Sequence, residues 1–499
     1  MHWNKKIIFI LLLFSSMPLK AEFQYFHKGY FDIGTINRLS DGSIIKIPYR
    51  MFTYEPTISI NDFYLHASSA VEFRLKDINN FWGSDFEFDL RELYVEWITS
   101  VGEFSIGKQI ISWGMASANN PTDNISPYNY YYLFSEGKEQ KEGILSFNST
   151  FYINDWKINT IIIPEHKKNI LPFNDSEFAI STPIEIKSEQ IEEINNPLEY
   201  ALSIAFSNQI IDITASYFSG YDRLMSSFGA NIWTTANANP QILEAIGTID
   251  TVLSYRQTNM VGLGMAKSIN DVSIKLDLGY FITSDNTSPG DSALYRHWQT
   301  GIDRIISECE ELNDASSWNS QFQEVDCQVG SNDFFNNSQI IDNRAKYFQY
   351  TIEFEYAPSF DFLMIGQITI SDLLEIGEAD SIKYSGGSYM FDPEEYFIPG
   401  MGAPNTFMSS TSNLLDSKSC TIVIQKSLFD LGIELRYMGF FDLNGKGSLN
   451  EFRMTYDILD DLEILGAFNI IQGNDKIENN QFSSMENFSH FRMELKYFY

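Results

Sequence analysis

Connection length alternates along this chain in step with a period-two hydropathy pattern, and few folds permit that combination. From residue 23 onward, apolar and polar side chains take turns in segment after segment. Val272, Ile274, Leu276, Leu278 and Tyr280 stand against Ser273, Lys275, Asp277 and Gly279. Phe348, Tyr350, Ile352, Phe354 and Tyr356 stand against Gln349, Thr351, Glu353 and Glu355. Leu431, Ile433, Leu435 and Tyr437 stand against Gly432, Glu434 and Arg436. Successive side chains of a strand point to opposite faces, so each segment reads as a strand with one apolar and one largely polar face. Eighteen strands are read, at 23–38, 46–59, 62–75, 86–99, 103–113, 142–153, 156–164, 198–207, 209–222, 251–268, 272–284, 345–357, 360–373, 419–428, 431–443, 448–459, 462–473 and 488–499.

A soluble sandwich alternates in the same way, so alternation alone decides nothing. The gaps decide. After even-numbered strands they are tight turns, such as Ile60-Asn61, Asn154-Asp155, Phe429-Asp430 and Asp460-Asp461. After odd-numbered strands they are often long, at 114–141, 165–197, 223–250, 285–344 and 374–418. Outer-membrane barrels keep short periplasmic turns and long outside loops in strict alternation, with an even strand count. The expected fold is therefore all-β, a transmembrane antiparallel up-and-down β-barrel of 16–18 strands in the bacterial outer membrane.

Composition excludes the competing classes. The 66 acidic against 34 basic residues give a formal charge of −32, which argues against nucleic acid as a partner. An aromatic content of 15% is too high for an acidic disordered chain. The longest apolar run, Ile7 to Phe14, is well short of the roughly 20 residues a membrane-spanning helix needs. That run follows Lys5 and Lys6 and precedes small and turn-forming residues up to Ala21, the layout of a secretory signal peptide. Residues 1–21 are expected to be removed, leaving 22–499 as a single barrel domain. At the other end Tyr499, Tyr497, Leu495, Met493 and Phe491 step by twos. This resembles the terminal strand that the outer-membrane assembly machinery recognises. Closure would pair 23–38 with 488–499. Membrane lipid and lipopolysaccharide are the expected surroundings.

Motifs of enzyme chemistry are missing. There is no G-x-S-x-G, H-E-x-x-H, Walker loop or G-x-G-x-x-G, and the six histidines are scattered. No enzyme, cofactor or metal is expected. Cys309 and Cys327 share the longest outside loop and can close a disulfide there, whereas Cys420 reads as a lone buried thiol.

Function should reside on the inward faces. With the apolar set against lipid, the opposite faces carry Glu72, Arg74, Glu92, Glu96, Lys275, Asp277, Glu434, Arg436, Glu451, Arg453, Arg492, Glu494 and Lys496. Facing Arg or Lys to lipid at midplane costs roughly 2–4 kcal/mol each. Such a lining either borders a water-filled pore or pairs off to fill a closed interior, and about 18 strands leave a lumen too wide for side chains alone. Loop 114–141 can narrow it. It joins the fifth and sixth strands and contains Asn120, Pro121, Asp123 and Asn124, whose Asx-type turns favour order. Tyr128, Tyr130, Tyr131 and Tyr132 follow, either as a slide for sugars or apolar solutes or as part of an interfacial belt. Asp123 and Glu96 are candidates for a cation-selective constriction. The acidic outer loops, for example Glu185, Glu189, Glu192, Glu193, Glu308, Glu310 and Glu311, can bind divalent cations, bias a pore towards cations or simply be solvated.

Three pieces carry a family resemblance: Leu90-Arg91-Glu92-Leu93-Tyr94-Val95-Glu96-Trp97, Gly107-Lys108-Gln109-Ile110-Ile111-Ser112-Trp113-Gly114 and Asn120-Pro121-Thr122-Asp123. Together they resemble a porin-like family of uncharacterised proteobacterial outer-membrane barrels with a G-[RK]-Q-x-x-x-W-G strand and an N-P-x-D loop. A weaker similarity is to alginate-export barrels. Asn119 stands where the family usually has an apolar residue. The resemblance implies an outer-membrane channel or transporter of unsettled substrate. The expectation is a channel passing a small polar or amphipathic solute through a charged lumen. Its alternatives are a substrate-specific transporter of apolar or sugar-like compounds and a surface adhesin with a plugged lumen.

Overall fold

The computed structural model describes residues 23–499 apart from 75–85, 178–190, 236–246, 285–333, 341–343 and 392–415 and positions 133–134, 136, 173–174, 176, 192–193, 195, 379, 385–386 and 478–479. The signal segment, Cys309 and Cys327 and the loop glutamates named above lie outside the described residues.

Eighteen strands form one antiparallel sheet. They are β1 (Phe23–Arg38), β2 (Tyr49–Ile60), β3 (Phe63–Phe73), β4 (Phe86–Thr99), β5 (Gly102–Gln109), β6 (Ile144–Ile153), β7 (Trp156–Ile163), β8 (Glu199–Ser207), β9 (Asp212–Tyr221), β12 (Gln257–Ile269), β13 (Val272–Ser284), β15 (Ala345–Ser359), β16 (Phe362–Ile376), β19 (Asp416–Leu428), β20 (Ile433–Asp442), β21 (Gly447–Leu459), β22 (Leu462–Gly473) and β23 (His490–Phe498). Each pairs with the next, and β1 pairs with both β2 and β23, so the sheet is closed. The register sets Tyr30 opposite Phe498 and Arg38 opposite His490.

Alternation explains which side is which. Ile274, Ile352, Phe354, Ile368, Phe452, Met454 and Leu495 lie exposed on the outside, while Lys275, Glu353, Gln367, Glu451 and Glu494 point inward. A continuous exposed apolar face on a sheet without edges suits hydrocarbon, not water. The short turns follow from local chemistry. Asn61, Asn154 and Asn270 take φ of 53°, 52° and 52°, a left-handed conformation that Asn tolerates in two-residue hairpin turns.

Four expectations need correction. The fifth strand ends at Gln109, not Trp113. Beyond it the N–H groups of Ile110, Ile111 and Trp113 go to Glu92, Ser126 and Asp123 side chains at 2.8, 2.9 and 3.1 Å, which turn the chain off the wall. Residues 251–256 do not belong to the tenth barrel strand. They fall in β11 (Gly247–Ser254) and the turn that follows it, where buried Arg256 donates to Asp222 at 2.7 Å. The long loops also hold strands of their own. β10 (Ser226–Thr235), β11 and β14 (Phe334–Ile340) make a three-stranded sheet, and β17 (Asp380–Tyr384) pairs with β18 (Gly387–Phe391). Cys420 sits within β19 and is half-buried, not buried.

Candidate functional site: the constricted lumen

The segment 110–143 between β5 and β6 folds into the barrel. Residues 119–130 are all buried, whereas Ser112, Gly114, Ser117 and Ala118 remain exposed. The tip crosses to the far wall, where carboxylates and an amide of β13, β15 and β16 take its main-chain donors. Met115 and Ala116 donate N–H groups to Asp277 Oδ2 at 2.8 and 2.6 Å. Ser117 donates its N–H and hydroxyl to Glu353 at 2.7 and 2.9 Å, and Asn119 N–H meets Gln367 Oε1 at 2.8 Å. Fixed acceptors of this kind are buried charges satisfied by several donors, the condition under which burial is tolerated.

The wall is shaped to receive the loop. A Cβ added at Gly262 would lie 2.8 Å from Thr122 Cγ2, and one at Gly264 would lie 3.2 Å from Met115 Cγ and 2.8 Å from Asp277 Oδ1. Within the loop, Gly114 takes φ of +100°, and a Cβ there would fall 1.7 Å from the Asn120 amide. That amide donates to the Trp113 and Ala116 carbonyls and accepts Thr122 N–H at 2.9 Å. Trp113 Nε1 donates to Asn159 on β7 at 3.2 Å, and Asn124 donates to Pro121 O at 2.8 Å. Trp113, Gly114, Asn120, Thr122 and Asp123, which carry the family resemblance, thus help to fold this loop.

On the near side the loop is tied by charge. Glu139 accepts from Arg50 at 2.7 Å and Arg91 at 2.9 Å, and Tyr132 donates to Glu72 at 2.6 Å while its ring lies under the Arg50 guanidinium. Burial would raise the Glu139 carboxyl, but Arg91 and Arg50 together pull it below the usual range. Arg74 pairs with Asp175 at 2.6 Å, which also accepts from the Tyr131 hydroxyl. Between the loop and the wall of β1, β2 and β21–β23 remains a cavity of about 220 Å³. It is lined by Tyr30, Asp32, Tyr49, Arg50, Tyr131, Tyr132, Glu139, Arg453, Arg492, Glu494 and Lys496, among others. Arg436 and Arg453 are direct cross-strand partners, and Ala467 separates Arg453 from Arg492 at the same level. Glu451 offsets this row of like charges, 2.6 Å from Arg453 and 3.6 Å from Arg492.

The structure sorts the expected site residues. Arg453, Arg492 and Lys496 border the cavity, with Arg436 beside Arg453. Glu72, Arg74 and Glu92 hold loops: Glu92 takes the Ile110 N–H and lies 3.5 Å from Lys138. Glu96 is 3.2 Å from His66 on β3. Asn120, Asp123 and Asn124 are buried inside the loop, where Asp123 is paired with Lys141 and accepts from Trp113 and, at 3.3 Å, from Tyr128. Asp123 therefore does not face the water path. Tyr128 and Tyr130 do not form a slide either, because both pack into an apolar cluster with Ile45, Phe440 and Phe482. Of the four loop tyrosines, Tyr131 and Tyr132 reach the cavity. Sequence reading missed Arg50, Arg91 and Glu139. β-Bulges at Arg50/Phe52 and opposite Ser68/Ser69 shift the alternation and turn both arginines inward. A signal existed for Arg91: strict alternation with Glu92 would have set it against lipid.

No protein-family model and no curated protein matches the chain. Among solved structures it is similar to OccAB3 of Acinetobacter baumannii, with TM-score 0.47, 10% identity and coverage of 96% of this chain and 99% of that one. OccAB2 of the same organism gives 0.45, 11%, 95% and 98%. OccK2 (OpdF) of Pseudomonas aeruginosa in complex with glucuronate gives 0.44, 9%, 96% and 97%. At these identities and TM-scores none of these likenesses transfers a function to this chain.

Proposed function

We propose that this chain is a bacterial outer-membrane channel that passes small polar solutes passively, with the 110–143 loop as its constriction. The observation that carries the reading is the loop crossing to Asp277, Glu353 and Gln367 while leaving a charged, tyrosine-edged cavity beside it. A lumen meant only to be filled has no use for side chains of both signs kept wet. The G-[RK]-Q-x-x-x-W-G and N-P-x-D resemblance supports the same reading, since Trp113, Gly114, Asn120 and Asp123 help to fold the loop. Export through a cleaved segment at 1–21, insertion by the assembly machinery through the final strand, and lipid and lipopolysaccharide around the wall belong to this proposal.

The test is single-channel conductance of the refolded mature protein in a planar bilayer under a salt gradient. Steady stepwise current is the expected result. A correctly inserted but silent barrel would overturn the channel reading in favour of a plugged surface protein.

A further inference from the structure

Two kinds of ion pair occupy the lumen. Most of those that hold the loop are closed, as in Arg50 to Glu139 at 2.7 Å, Arg91 to Glu139 at 2.9 Å and Lys275 to Glu353, the acceptor of Ser117, at 2.9 Å. On the cavity wall Arg453 is closed on Glu451 at 2.6 Å. Three pairs on the nearby β1 and β23 part of that wall are open: Arg492 to Glu494 at 3.5 Å, Lys496 to Asp32 at 3.7 Å and Lys496 to Glu494 at 3.9 Å. All three exceed the 2.7–3.2 Å or so of a direct N–H···O hydrogen bond. Each of the four side chains keeps part of its surface, between 7% and 21%, uncovered.

The order of these charges matters. Along β23 the inward positions read Arg492, Glu494, Lys496, so the sign changes about every 6.8 Å, two residues of strand. Asp32 on β1 stands directly opposite Lys496 in the register. A pure anion drawn to Arg492 is repelled by Glu494 beside it, and a pure cation meets the reverse. A solute carrying both charges escapes this conflict. Its carboxylate completes the coordination of Arg492 or Lys496 and its ammonium that of Glu494 or Asp32, replacing open pairs with charge-assisted hydrogen bonds. The inward loop bounds this cavity on one side through Tyr131, Tyr132 and Glu139, which favours a small guest. We propose that the wall formed by Asp32, Arg492, Glu494 and Lys496 is a binding site for small zwitterions of the amino-acid kind. The proposal rests on the channel reading above.

The experiment adds 4-aminobutyrate, butyrate or butylammonium, which share one carbon skeleton, to the conducting full-length mature protein and measures interruption of the ion current. The expected result is half-block by 4-aminobutyrate at a concentration about five-fold or more below that of either singly charged analogue. Glu494→Gln and Asp32→Asn are expected to move the preference towards butyrate, and Arg492→Gln towards butylammonium. Butyrate or butylammonium blocking as well as 4-aminobutyrate would overturn the site, and this comparison needs only the unmodified protein. Absence of any current would instead remove the channel reading, and the site with it.

Discussion

At the scale of single residues, burial decides which carboxylates can act on a passing solute. Asp123 and Glu96 looked equivalent in sequence, since both are acidic residues near a possible constriction. The structure separates them: Asp123 is enclosed with Lys141, and Glu96 keeps a partly exposed lumenal position beside His66. Glu96→Gln is therefore expected to lower cation preference, read as a shift in reversal potential under a salt gradient. Asp123→Asn is expected to leave that potential unchanged but to strand the Lys141 ammonium. Removing one member of a buried pair costs about 3–5 kcal/mol, whereas replacing both is often neutral. Protease sensitivity of the 110–143 segment should thus rise in Asp123→Asn and fall back in Asp123→Asn/Lys141→Met. Equal sensitivity in the two variants would refute this account. The identity of the residue at 123 was legible in the sequence; its enclosure was not, because Lys141 lies 18 positions away and only the fold brings it near.

At the scale of elements, strands were legible wherever one face meets lipid and the other water, since that contrast imposes period two. That contrast ends where the chain leaves the wall. Ile110 continues the pattern of β5 but Ile111 and Trp113 fall in its polar phase, where side-chain acceptors take the N–H groups of Ile110, Ile111 and Trp113 and the chain turns inward. The bulges that admit Arg50 and Arg91 break the count in the same way. Seating of the loop yields a prediction of its own. Gly264→Leu puts a side chain into space held by Met115 and Asp277, so the loop should lift and unitary conductance should rise. A conductance equal to the wild type would show that the loop is held elsewhere. A second element responds to acid. His166, between β7 and β8, shares Glu199 with Arg223, which in turn donates to the Asn124 and Ile125 carbonyls of the inward loop. Burial is the largest influence on His166 and lowers its pKa, with Arg223 acting in the same sense against the pull of Glu199. A histidine depressed in the folded state contributes stability that is present above its unfolded pKa, about 6.5, and is lost as pH falls below it. Limited proteolysis between β7 and β8 should accelerate as pH drops from about 7 to about 5, and His166→Asn should flatten that response.

At the scale of the whole molecule, closure and parity were readable because they are properties of spacing. Eighteen strands, turns of a few residues on one side and long connections on the other, and the pairing of the first strand with the last all follow from where the pattern starts and stops. What spacing cannot convey is how far a loop reaches across the interior. The contacts that settle it join positions more than 150 residues apart, as in Met115 with Asp277 and Ser117 with Glu353. Those contacts have one further consequence. The far wall grips Met115, Ala116, Ser117 and Asn119 chiefly by the main-chain N–H, a group that every amino acid except proline supplies. Side chains at the tip are thereby released from the task of attachment, and Asn119 can replace an apolar residue without loss of grip. The tip behaves as an interchangeable cassette, in which a lineage of such chains can exchange what the solute meets while inheriting the mounting unaltered.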